Sequence, residues 1–124
     1  MADWKKQSFF KAMKNSLNGI FYTLKKERNI KIQLIIAILA IILGIVLKIN
    51  LIEWGILTIT IFIVIISELI NTAIENTVDL ITTEYNEKAK IAKDVAAGAV
   101  LLSAINSVIV GIIIFGTKII YYIR

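Results

Sequence analysis

Cysteine, histidine and proline are all absent from the 124 residues. Without cysteine there are no disulfides, thiolate nucleophiles or thiolate metal sites, and without histidine there is neither an imidazole ligand nor a serine–histidine pair. Acid–base or metal chemistry therefore falls to carboxylates. The missing prolines leave long stretches with nothing to break a helix. Formal charge is missing from three blocks, residues 32–47, 54–67 and 95–117. Those blocks are largely aliphatic. Hydrophobic residues make up 58% of the chain, more than one soluble core of this size can hide, so lipid is the expected solvent.

The net charge of +5 is informative through its distribution. Lys5, Lys6, Lys11, Lys14, Lys25, Lys26, Arg28 and Lys31 precede the first block, Lys88, Lys90 and Lys93 lie between the second and third, and Lys48 stands in the first connection. The positive-inside rule then puts the N-terminus and the second connection in the cytoplasm and the C-terminus outside. A nucleic-acid interface would interleave basic residues with exposed aromatics on a soluble face, and no such pattern exists here.

Residues 1–31 form too long a polar stretch for the basic end of a signal peptide, and no small-residue cleavage site follows the apolar run. Phe9, Met13, Leu17, Ile20, Phe21 and Leu24 recur at three- and four-residue spacings, with Lys5, Lys11, Lys14, Lys25 and Lys26 largely between them. The pattern predicts an amphipathic helix on the inner membrane surface. A first span is expected over 32–47, lengthened by Ile30 with Lys31 and Lys48 snorkelling, then an outer turn over 48–53. From Trp54 to about Thr83 the chain reads as one helix of about 45 Å, longer than the ~30 Å hydrocarbon core, so its second half projects into the cytoplasm. After a turn over 82–87, a third long helix begins near 88–94. Its small residues Ala92, Ala96, Ala99, Ser103, Ser107 and Gly111 make a stripe suited to close packing in a bundle or oligomer. With no repeat or linker, the chain reads as a single all-α membrane domain over 1–124: a surface helix over 1–31 and a three-span bundle over 32–124.

The second block ends in a run of polar residues with helical spacing. At 100° per residue, Asn71, Glu75 and Asp79 fall within about 60° of Glu68, while Leu69, Ile70, Ile74 and Val78 cover other faces. Glu68 follows an uncharged run, which places an ionisable group near the hydrocarbon boundary, where it is costly and a functional candidate. A single such acid would pair with a Lys or Arg of the surface helix; an aligned set points to a site. Carboxylates without histidine or cysteine suit a hard cation such as Mg²⁺, which takes its remaining ligands from water and phosphate. Lys93 alone reads as a snorkelling residue, yet with Asp94 it opens the third helix, where a lysine and a positive helix end favour phosphate. Neither a G-x-x-x-x-G-K-[ST] loop nor a kinase glycine loop is present.

Glu68-Leu-Ile-Asn-Thr-Ala-Ile-Glu-Asn-Thr-Val-Asp79, followed by Glu84-Tyr-Asn-Glu87 and Ala92-Lys-Asp94, resembles the signature of the prokaryotic diacylglycerol kinase family. The likeness spans nearly the whole chain, including Ser8-Phe-Phe-Lys-Ala-Met, Gly19-Ile, Glu27 at the end of the surface helix and three spans in order. It implies an ATP- and Mg²⁺-dependent kinase of a membrane lipid hydroxyl, working as a homotrimer in the cell membrane with active sites between chains. By the resemblance Glu68 is the general base, and Glu27 and Glu75 are metal ligands. Asn71, Asp79, Glu84, Tyr85, Asn86, Lys93 and Asp94 are nucleotide contacts or their supports. These roles suit phosphoryl transfer, which needs positioning and charge neutralisation more than covalent chemistry. Gram-negative members tend to carry an Arg where this chain has Ser8, and Lys25-Lys-Glu-Arg-Asn-Ile-Lys-Ile-Gln33 is similar to the Gram-positive branch, which acts mainly on undecaprenol; diacylglycerol is the alternative acceptor.

Two other classes compete. A transporter would set polar groups near mid-membrane in more than one span, where this chain offers Gln33, Thr58, Thr60, Ser103, Asn106 and Ser107. A structural subunit would show the small stripe without the aligned acids.

Overall fold

The computed structural model describes residues 8–124, so the parts expected of Lys5 and Lys6 lie outside the described residues. The described chain is helical throughout: α1 (Phe9–Lys26), α2 (Arg28–Val46), α3 (Leu51–Ile81) and α4 (Glu87–Ile123). Ser8 starts α1, its side chain accepting a hydrogen bond from the Lys11 amide at 3.2 Å, and Lys25 and Lys26 complement the helix dipole in the last turn. Helix α1 stops short of the expected Lys31. Glu27 is extended (φ −95°, ψ 124°), and α2 starts at once with Arg28. No glycine or proline explains this break. Thr23 and Ile30, on either side of the bend, are both buried, and α1 rests against α2 and α3.

Helices α2, α3 and α4 are each long and apolar enough to cross a membrane. With 31 residues at about 1.5 Å rise, α3 is about 46 Å long. The turn before it is shorter than expected, because Glu53 belongs to the first turn of α3. There the Asn50 side chain accepts from the Glu53 amide at 2.8 Å, while the Glu53 carboxylate accepts from the Asn50 amide at 2.9 Å. This reciprocal cap pulls 51–53 into the helix. Lys48 takes a left-handed φ of 54° to turn the chain.

Helices α3 and α4 share the most extensive contact, and α2 packs chiefly along α3. Ile49, Leu57 and Ile114 form the buried centre, flanked by Trp54 and Phe115. Gly44 is where α2 meets this cluster: a Cβ there would lie 2.9 Å from Cη2 of Trp54 and 3.1 Å from Cδ1 of Ile49. Of the small stripe on α4, Ser103 is buried, Ala92, Ala96, Ser107 and Gly111 are half-buried and Ala99 is exposed. Many large apolar side chains remain on the outside, Leu102 at 69% exposure and Ile112 at 67% among them. That is an outer surface matched to lipid, and the chain is a membrane protein.

A candidate active site at the Glu68 end of the bundle

Just past the midpoint of α3, Glu68 is 2% exposed, the most deeply buried charged residue among those described. The nearest donor is Gln33 of α2, whose Nε2 donates to Oε2 of Glu68 at 3.5 Å. One turn on, Asn71 is also buried and donates through Nδ2 to Oε1 of Glu75 at 3.0 Å. Glu75 and Glu27 are half-buried, and both lie near enough to Glu68 to act on it electrostatically. The Glu27 carboxylate makes no capping hydrogen bond to α2. Among the described residues no three carboxylates gather closely enough to hold a metal ion unaided. A pair such as Glu27 and Glu75 fits Mg²⁺ only with phosphate and water as the other ligands.

The site is unfinished in a specific way. Three buried side-chain atoms among the described residues lack a hydrogen-bond partner: Oε1 of Gln33, Oδ1 of Asn71 and Oγ1 of Thr72. Gln33 contacts Glu68 directly, and Asn71 and Thr72 follow it by three and four positions, the spacing of helix neighbours. An unmet buried polar group costs about 1–3 kcal/mol. Three of them around one carboxylate indicate that the isolated chain presents donors and acceptors to something else.

Farther along, the α3–α4 turn borders an open cavity of about 390 Å³, lined by Asp79, Glu84, Tyr85, Asn86, Lys93 and Asp94 together with Lys90 and several turn residues. Six of the seven residues implied as nucleotide contacts thus share one cavity, whereas Asn71 sits with Glu68 and Glu75. Lys93 Nζ bridges to Asp79 Oδ1 at 2.7 Å across the two helices, and Lys90 pairs with Asp94 at 2.7 Å along α4. Asn86 already has local work, its side-chain oxygen accepting from the Ala89 amide at 3.1 Å to cap α4. Tyr85 is 82% exposed, leaving its ring available. A third space, apolar and of about 290 Å³, opens between α2, α3 and α4, with Gln33 on its wall beside Ala37, Leu57, Val64 and Phe115.

The Gln33 and Thr72 contributions escape a reading based on acids alone. A signal for Gln33 was present: it is the sole polar side chain in the block 32–47, and a lone amide in lipid needs a partner. Thr72 carried none, since threonine is common on membrane helices and satisfies itself on the backbone, as Thr58 and Thr60 do here.

A buried carboxylate with unmet polar atoms beside it and, about 16 Å further along α3, a cavity lined by charged residues lie towards one end of three lipid-facing helices. Residues 14–115 match the model of the prokaryotic diacylglycerol kinase family, and the chain belongs to that family of lipid kinases. The undecaprenol kinase of Bacillus subtilis is 43% identical over 110 residues, covering 89% of this chain and 89% of that relative. A diacylglycerol kinase of Synechocystis is 45% identical over 94 residues, 75% of this chain and 54% of the relative. The Escherichia coli diacylglycerol kinase is 32% identical over 99 residues, 80% of this chain and 81% of the relative. The resemblance drawn from the acidic run is therefore correct at the level of family and of enzyme class.

Proposed function

We propose that this lipid kinase transfers the γ-phosphate of ATP to the hydroxyl of undecaprenol, giving undecaprenyl phosphate and ADP. The observation that carries this reading is the set of unmet polar atoms around Glu68, which offers hydrogen-bond partners to one incoming hydroxyl. Glu68 takes the hydroxyl proton as the alcohol oxygen forms its bond to the γ-phosphorus. The bond from that phosphorus to the bridging oxygen breaks, and ADP leaves with the electron pair. Asn71 holds Glu75 in place. Lys93 and the turn carrying Glu84, Tyr85 and Asn86 receive the nucleotide, with Asp79 and Asp94 orienting Lys93 and Lys90 until phosphate arrives. Glu27 and Glu75 would hold Mg²⁺, which when bound neutralises phosphate charge.

The surroundings support the same assignment. Helix α1 lies on the inner surface of the cell membrane as an amphipathic helix, with Lys11, Lys14, Lys25 and Lys26 towards lipid phosphates. The N-terminus and the α3–α4 turn are cytoplasmic, where ATP is, and the C-terminus is outside. Residues 1–124 act as one membrane kinase domain. Exposed apolar faces and the small stripe of α4 suit a homotrimer whose neighbouring chains complete each site.

Undecaprenol is favoured over diacylglycerol because the apolar flank near Glu68 suits a primary alcohol on a hydrocarbon chain and offers little to ester carbonyls. Ser8 stands where an arginine could have met such carbonyls. The named activity of the Bacillus subtilis relative points the same way. The test is thin-layer separation of labelled phosphate after incubation with undecaprenol and diacylglycerol at equal mole fraction in micelles. Faster labelling of undecaprenol is expected, with some of diacylglycerol. Faster labelling of diacylglycerol overturns the substrate, and labelling of neither overturns the reading.

A further inference from the structure

Gln33 takes no part in the roles above, yet it is the residue of α2 that reaches Glu68. Its side chain bridges two spaces. Nε2 meets the carboxylate at 3.5 Å, and the same residue forms part of the wall of the apolar cavity between α2, α3 and α4. Only the nitrogen end of an amide can donate to a carboxylate, so this contact fixes which way the amide faces. Oε1 is left buried and without a partner, a strained arrangement that an apolar residue of the same size would avoid. A donor held at 3.5 Å is long for a finished hydrogen bond and of the kind that tightens when a reactant closes on the base.

We propose that Gln33 is a positioning residue: by holding Oε2 of Glu68 it leaves Oε1 as the oxygen that faces the lipid hydroxyl. The inference rests on Glu68 being the base. A carboxylate on α3 can rotate about its last torsion, and a misdirected oxygen lowers the rate without weakening either substrate. Asn71 lies on the same helix as Glu68 and its Nδ2 donates to Oε1 of Glu75 at 3.0 Å, whereas Gln33 reaches the carboxylate from a second helix.

The test uses full-length protein in micelles and compares wild type, Glu68→Gln and Gln33→Met, the last keeping length and volume without the amide. Gln33→Met should lower kcat about tenfold to a hundredfold, the range of one hydrogen bond to a charged group. KM for ATP and for the lipid alcohol should stay within about twofold, a split that a loosened bundle would not give. A second readout is independent of turnover: dicyclohexylcarbodiimide modifies protonated carboxyl groups in apolar surroundings, and labelling of the Glu68 peptide should accelerate several-fold in Gln33→Met. Should Gln33→Met fail to assemble, Gln33→Glu keeps the length and polarity but sets an acceptor where the donor was, and it should lose turnover in the same way. A fully active Glu68→Gln overturns the base assignment and this inference with it. Inactive Glu68→Gln beside wild-type turnover and labelling in the Gln33 variants overturns the inference alone.

Discussion

Asn50, Glu53, Lys118 and Tyr122 stand at one end of the bundle, and Gln33, Glu68, Asn71 and Thr72 stand about 25 Å away along α3. At the first end the polar groups are closed on one another. Glu53 caps α3 and also pairs with Lys118 at 3.2 Å, while the Tyr122 hydroxyl donates to the Leu47 carbonyl at 3.2 Å, joining the last turn of α4 to the α2–α3 connection. At the Glu68 end the groups are no less buried, yet three atoms go without partners. The same bundle therefore serves two purposes. One end is finished as structure, and the other leaves buried polar atoms unmet, as expected where the proposed chemistry would trade stability for function.

Substitutions at the two ends should separate activity from stability. Glu68→Gln is expected to have the largest effect, a loss of turnover of about 10²–10⁴-fold, because the amide keeps the shape but accepts no proton. The thermal midpoint of the assembled protein in detergent should not fall, since burying a neutral amide costs less than burying a carboxylate. Turnover near wild type, or a large drop in midpoint, would make the Glu68 end structural like the other. Next comes Lys93→Ala, with a loss of about ten- to a hundredfold and a raised KM for ATP, against less than about threefold for Lys90→Ala. The two lysines make ion pairs of equal length, so equal small effects would mean that the cavity holds no phosphate. The smallest effect on activity is expected at the closed end. Gly44→Ala forces a methyl into the Trp54 ring and should lower stability by about 1–3 kcal/mol while leaving kcat within about twofold. Thermal scanning and steady-state rates on the same preparation decide it; a matching fall in kcat would mean the two ends are coupled.

Much of this was legible in the order of residues. The uncharged run before Glu68 foretold its burial, and the three- and four-residue spacing placed Asn71, Glu75 and Asp79 on its side of α3. What could not be read was anything requiring two helices at once. The Lys93–Asp79 bridge depends on how α4 lies against α3, and the Gln33–Glu68 contact on the register of α2. The bend at Glu27 was hidden for another reason. Lys25 to Lys31 has ordinary helix propensity and contains neither glycine nor proline, so no local signal marks the extended residue. Glu53 lies in α3 and not in the outer turn because Asn50 and Glu53 have the spacing of a reciprocal helix cap, a signal carried by the sequence itself.

That single extended residue at position 27 also acts as a joint. Helix α1 has 18 residues, a rod of about 27 Å that is joined to α2 through this one residue and also rests against α2 and α3. A swing of about 10° there carries its far tip through about 5 Å, comparable to the spacing of neighbouring lipid chains, whereas Glu27 itself scarcely moves. The residue proposed to hold a metal ion is therefore also the corner at which the first helix departs, and that corner is braced by the packing of α1 on α2 and α3.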